Sequence, residues 1–144
     1  MDIRLESIPA VRALTFTRSF DVTDPDVIDY FGGMTRKAAL DAGVEPSGPL
    51  GGIMTLPDAE GRIRNTFVIP ADRAPDRIPL DAAQYLVEDG DALTFTTLPA
   101  IERAAVIRVE GPMPSVVRAV GALRGWASER GFRPAEAESM VWAS

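Results

Sequence analysis

Over residues 3–17 apolar and polar side chains alternate on either side of Pro9, a period of two that predicts a strand broken or bulged where proline removes a ladder donor. Asp24-Pro25-Asp26 then opens a helix, with a capping carboxylate, proline at the first helical position and negative charge in the first turn. Val27, Phe31, Met34, Ala38 and Ala42 recur at helical spacing and predict one apolar face. Gly43 suits a left-handed stop, and Pro46 prevents the helix from resuming. Residues 50–56 and 62–69 read as a hairpin whose turn, Pro57-Asp58-Ala59-Glu60-Gly61, carries glycine at its bulge. The order so far is β-α-β-β.

Residues 70–81 carry Pro70, Pro75 and Pro79 among charges and read as a surface linker. Residues 84–88 and 92–98 flank Asp89-Gly90, either as a tight hairpin or as a loop entering one strand. The pattern then restarts. Residues 103–110 read as a strand, Gly111-Pro112-Met113-Pro114 turns the chain, and Val116, Val120, Leu123 and Ala127 form a second helical stripe. Glu136, Glu138, Met140 and Trp142 alternate along a last strand. Two landmarks repeat: Ile8-Pro9-Ala10-Val11 returns as Leu98-Pro99-Ala100-Ile101, and Gly43 with Pro46 returns as Gly131 with Pro134. The expectation is a single α+β domain over residues 1–144, a tandem β-α-β-β with pseudo-repeats at about 1–69 and 92–144 and a linker at about 70–91. A groove between the halves is the expected ligand site. One further strand would complete the second repeat, and the edge it leaves open would suit a homodimer.

Composition narrows the chemistry. Apolar residues make up 46% of the 144 and charged residues 25%, a globular composition. Cysteine and histidine are both absent, which excludes a disulfide framework, the usual zinc sites and a Ser-His or Cys-His nucleophile; no cofactor or metal is expected. A net charge of −6 argues against direct nucleic-acid binding. The N-terminal charges Asp2, Arg4 and Glu6 resemble no leader, and no apolar run is long enough to span a bilayer, so a cytoplasmic protein without a membrane partner is expected. Gly48-Pro49-Leu50-Gly51-Gly52 lacks the lysine of a phosphate loop and reads as a turn and bulge.

The landmarks Ile8-Pro9-Ala10-Val11 and Leu98-Pro99-Ala100, with Glu110-Gly111-Pro112, Trp126 and Glu138, resemble the gyrase-inhibitor-like small-molecule-binding family, which includes effector domains of bacterial multidrug-responsive transcription activators. The resemblance covers almost the whole chain. It implies an antiparallel-rich sheet with two helices on one face, and a central cleft for bulky apolar compounds, often cations, with an acidic residue on the closing strand at the position of Glu138. Some members resemble hydrolases of strained cyclopropane rings. The chain departs from the family pattern at Val109 (usually histidine), Met113 (usually aromatic) and Met140 and Trp142 (usually tyrosine nearby).

A carboxylate lining an apolar cleft must be protonated, pair with an arginine or meet a cationic ligand. Glu138 is therefore the candidate anchor, Trp126 and Trp142 the candidate cation–π surfaces, and Met54, Met113 and Met140 a deformable wall. Phe16 belongs to two readings, as part of that wall and, with Phe31 and Phe67, as core. Binding of a hydrophobic, cationic small molecule is the leading reading. A xenobiotic hydrolase using Glu138 as base, and a protein-interaction module, are the alternatives.

Overall fold

Proline marks the ends of several strands in this chain. The computed structural model describes residues 2–21, 26–55, 58–107, 113–132 and 139–143, of which 113–117, 120 and 139–143 are described by their backbone. In order the elements are β1 (Ile3–Ile8), β2 (Val11–Asp21), α1 (Asp26–Asp41), β3 (Gly51–Thr55), β4 (Arg62–Pro70), β5 (Arg77–Pro79), β6 (Ala92–Leu98), β7 (Ile101–Ile107), α2 (Met113–Glu129) and β8 (Ser139–Ala143). All strand pairs among the described residues are antiparallel. The fold is α+β.

The two landmark tetrapeptides turn out to be register partners. Ile8 stands opposite Ile101 and Val11 opposite Leu98, so both arms break at the same level, at Pro9-Ala10 and Pro99-Ala100. Proline offers no N–H, and each break sends its strands into different sheets, β1 with β7 and β2 with β6. The expected single broken strand is thus two strands in two sheets. By compactness the chain divides into Met1–Ala10 with Pro99–Glu138, and Val11–Leu98 with Ser139–Ser144.

The larger unit carries the six-stranded sheet, in the order β5-β6-β2-β4-β3-β8. Because β4 pairs antiparallel with both β2 and β3, β2 and β3 run parallel with β4 inserted between them, a split β-α-β crossed by α1. Leu14, Phe16 and Phe20 of β2 and Ile63, Asn65, Phe67 and Ile69 of β4 share one face and are buried there, and α1 lies against these strands. The opposite face carries Thr15, Thr17, Ser19 and Thr66, with the Thr17 and Thr66 hydroxyls 2.9 Å apart. That alternation is the period of two seen in the sequence.

On α1 the buried residues are Ile28, Phe31, Gly32, Met34, Thr35, Ala38 and Ala39, a wider stripe than the expected one. Val27 is only half-buried and Ala42 is exposed, because the helix ends at Asp41 and Ala42 belongs to its cap. Thr35 satisfies its hydroxyl within the helix by donating to the Phe31 carbonyl at 2.7 Å. The hairpin turn forms as expected: Asp58 Oδ1 accepts from the N–H groups of Glu60 and Arg62, and Gly61 adopts φ 74°.

Three local expectations change. Residues 70–81 are more than a surface linker, since Ala71 and Leu80 are buried and β5 pairs with β6; Pro79 is tolerated because β5 is the sheet edge. Of the two readings around Asp89-Gly90, the loop into one strand holds. Gly51 and Gly52 form no bulge but sit in regular register opposite Val68 and Phe67.

In the smaller unit α2 lies against β7, and Ala119 is buried. Leu123 and Ala127 are half-buried, while the side chains of Val116 and Val120 lie outside the described residues. Among the described residues no helix is long and apolar enough to cross a membrane.

Two adjacent glycines on α1 separate packing from propensity. A Cβ on Gly32 would stand 3.1 Å from Leu50 Cδ2, whereas one on Gly33 would meet nothing within 4 Å. Gly33→Ala is expected to stabilise the protein by up to about 1 kcal/mol, and Gly32→Ala to gain nothing or lose stability. Urea denaturation midpoints in the order Gly33→Ala, wild type, Gly32→Ala would bear this out; equal gains from both would contradict it.

Candidate ligand-binding site

The register of the larger unit lines up most of the sequence candidates in two adjacent cross-strand rows. One row across β2, β4, β3 and β8 is Phe16, Phe67, Gly52 and Trp142; the next is Arg18, Asn65, Met54 and Met140. Directly opposite residues share a face, so all eight positions belong to the α1 side of the sheet. Gly52 leaves the position beside Trp142 without a side chain of its own. Phe16 is only 5% exposed, with its ring 5.8 Å from that of Phe31, and Met54 is 6% exposed. Both side chains are part of the core in this structure. For Met140 and Trp142 the register position is what is described.

Arg18 reaches over this row. Its guanidinium lies 5.0 Å above the Phe31 ring and 3.7 Å from Asp91, which places a delocalised cation at the margin of the aromatic cluster. Asn65, beside Met54, is fully buried.

Trp126 belongs to the smaller unit, and its surroundings follow from how α2 ends. The Phe132 N–H donates to the Ala127 carbonyl at 2.9 Å and the Gly131 N–H to Ser128 at 3.1 Å, with Gly131 at φ 71°. This is a Schellman closure, which folds the second residue past the cap back onto the last turn. Phe132 therefore stacks on Trp126, ring centroids 5.8 Å apart and planes 29° apart. Arg130 lies 4.4 Å over the Trp126 ring and Arg103 of β7 lies 5.1 Å over Phe132. The two aromatic rings and two guanidinium groups form one connected cluster. Met113 opens α2, and Glu138 lies outside the described residues.

Sequence reasoning missed the arginines. Arg130, four residues after Trp126, stands at a spacing that brings helix neighbours together, so one signal was present. Arg18 and Arg103 reach their rings through tertiary structure, and no local pattern marks them.

Two surface recesses lie apart from these residues. A wide-mouthed one of about 440 Å³ is lined by Tyr30, Gly33, Met34, Lys37, Gln84 and Tyr85. There the Tyr30 hydroxyl accepts from the Leu86 N–H at 2.9 Å, and Lys37 donates to Asp41 at 2.7 Å. That hydrogen bond to Asp41 holds the Lys37 ammonium above the ordinary lysine range. Asp2, Arg4, Glu6 and Val106 line the other, of about 340 Å³. Among the described residues no three acidic side chains gather to hold a metal ion.

No family model matches the chain, and no curated protein matches its sequence. Among solved structures, SAV2435 bound to tetraphenylphosphonium is similar, with a TM-score of 0.54 at 12% identity, over 98% of this chain and 81% of that one. The two share a fold.

Burial separates the candidates that can be altered without unfolding the protein from those that cannot. Phe16→Ala is expected to cost about 3–5 kcal/mol and Met54→Ala about 2–5 kcal/mol, both by opening core cavities. Trp126→Ala removes a half-exposed stack and is expected to cost only about 1–2 kcal/mol. Chemical denaturation ranks the three, and a Trp126→Ala loss as large as that of Phe16→Ala would make Trp126 a core residue.

Proposed function

We propose that this protein binds a bulky, apolar, cationic small molecule, in a sensing or sequestering role. What supports the reading most is a fold shared along nearly the whole chain with a protein whose structure holds tetraphenylphosphonium. The resemblance to the gyrase-inhibitor-like family, carried by Ile8-Pro9-Ala10-Val11, Glu110-Gly111-Pro112 and Glu138, points the same way. In this reading Glu138 supplies the counter-charge, Trp126 and Trp142 offer ring faces, Met113 and Met140 form the apolar wall, and the buried Phe16 and Met54 back that wall from the core.

The physical logic is a balance of hydration. A lipophilic cation with its charge spread over aromatic groups is weakly hydrated, so it loses little on leaving water and gains from ring faces and one carboxylate. Compact, strongly hydrated cations gain less than they lose. An anion of equal shape meets the carboxylate as a repulsion. The net charge of −6 adds a general bias toward cations near the surface.

Tetraphenylphosphonium and tetraphenylborate match in shape and differ in sign, which makes them the natural pair for a thermal-shift test. The cation at ~100 times its dissociation constant is expected to stabilise the protein by about 2.7 kcal/mol, and the anion to leave it unchanged. Glu138→Gln is expected to weaken the cation about tenfold, or about 1.4 kcal/mol. Equal shifts from both ions, or an unaltered affinity in Glu138→Gln, would contradict the proposal's electrostatic basis.

A further inference from the structure

We infer that Arg130 is a built-in competitor for the cation face of Trp126, occupying the ring until a more lipophilic cation displaces it. The inference rests on Trp126 being part of the ligand site proposed above.

The comparison of the two helix ends carries the argument. On α1 the Val44 N–H donates to Ala39 at 3.0 Å and the Gly43 N–H to Leu40 at 2.9 Å, the same closure as on α2, with Gly43 at φ 79°. There the residue folded back is Val44, which is buried, and the last turn offers Ala38 and Ala39. An aliphatic contact suffices for the cap. The rings of Trp126 and Phe132 and the two guanidinium groups over them are therefore additional to what ends the helix.

Arg130 has the properties of a stand-in ligand. Its guanidinium is planar, delocalised and more weakly hydrated than an ammonium, and it lies 4.4 Å from the Trp126 ring centroid, at stacking distance. Phe132 stacks on the indole and Arg130 lies over the same ring. Arg130 itself is exposed, so it can leave the ring for water without unfolding anything around it. An exposed cation–π contact of ordinary strength keeps the ring covered most of the time and weakens every competing cation about three- to sixfold. The factor is the same for every cation, so ligands that bind the ring only as well as a guanidinium lose most of their occupancy, while those with larger apolar surface have affinity enough to bind despite it. The device raises the affinity a ligand must bring.

Calorimetric titration of tetraphenylphosphonium into the full chain tests this with four proteins: wild type, Arg130→Gln, Arg103→Gln, and Arg130→Gln combined with Trp126→Leu. Arg103→Gln removes the same charge from the same stack but leaves Trp126 covered, so it controls for a general loss of repulsion. The expected result is a three- to sixfold tighter complex for Arg130→Gln, little change for Arg103→Gln, and no gain in the double variant. If all four bind and Arg130→Gln gains nothing, or Arg103→Gln gains as much, the competitor is disproved and the small-molecule reading stands. If neither wild type nor Arg130→Gln binds, both fall together.

Discussion

The antiparallel register that sets Phe16 opposite Phe67 governs the larger unit, because side-chain direction in a strand has a period of two and a slip of one residue would turn every core side chain outward. With that register Phe16, Phe67 and Phe31 meet as a cluster of tilted rings, and α1 has a face to lie on. The same register carries across β3 to β8, so positions distant in the chain, from Phe16 to Trp142, fall into one row. Gly52 brings no side chain to that row, and Met54, in the adjacent row, brings an unbranched one that packs into the core.

The Pro-Ala pairs add a second constraint. Each interrupts an arm of extended chain, and since the arms are antiparallel partners the interruptions coincide. Two sheets are built from two arms, and neither needs a long connection. Backbone chemistry favours a break at these points, since a residue without an N–H leaves a gap in the ladder. The repeat in the sequence is the trace of two partners meeting the same requirement.

Electrostatics in this molecule favours delocalised cations over aromatic rings. Arg12 lies over Phe95 at 5.0 Å, Arg18 over Phe31 at 5.0 Å, Arg103 over Phe132 and Arg130 over Trp126. Each contact is worth little by itself at the surface, on the order of 0.5–1 kcal/mol, but together they show how readily the ring faces of this chain accept guanidinium. The ion pairs of Arg4 with Asp2 and Glu6 are by contrast long and solvent-exposed, and add little.

The sequence by itself determined both helices, most of the strands and that the fold is α+β, because hydrophobic period, proline and glycine act locally, but it missed β5, whose pairing with β6 is a tertiary contact. Gly43 and Gly131 were legible as helix stops, and Asp58 to Gly61 as a turn, for that reason. Phe16 and Phe67 were legible as core residues, but their place in one row with Gly52 and Trp142 was not, since register across four strands depends on pairings tens of residues apart. Nor could the sequence show that the two Pro-Ala landmarks face each other, or that Arg103 comes to rest over Phe132. Those are decided by tertiary structure, where the free energy of pairing and burial, summed over the whole chain, chooses among partners that local propensity leaves equivalent.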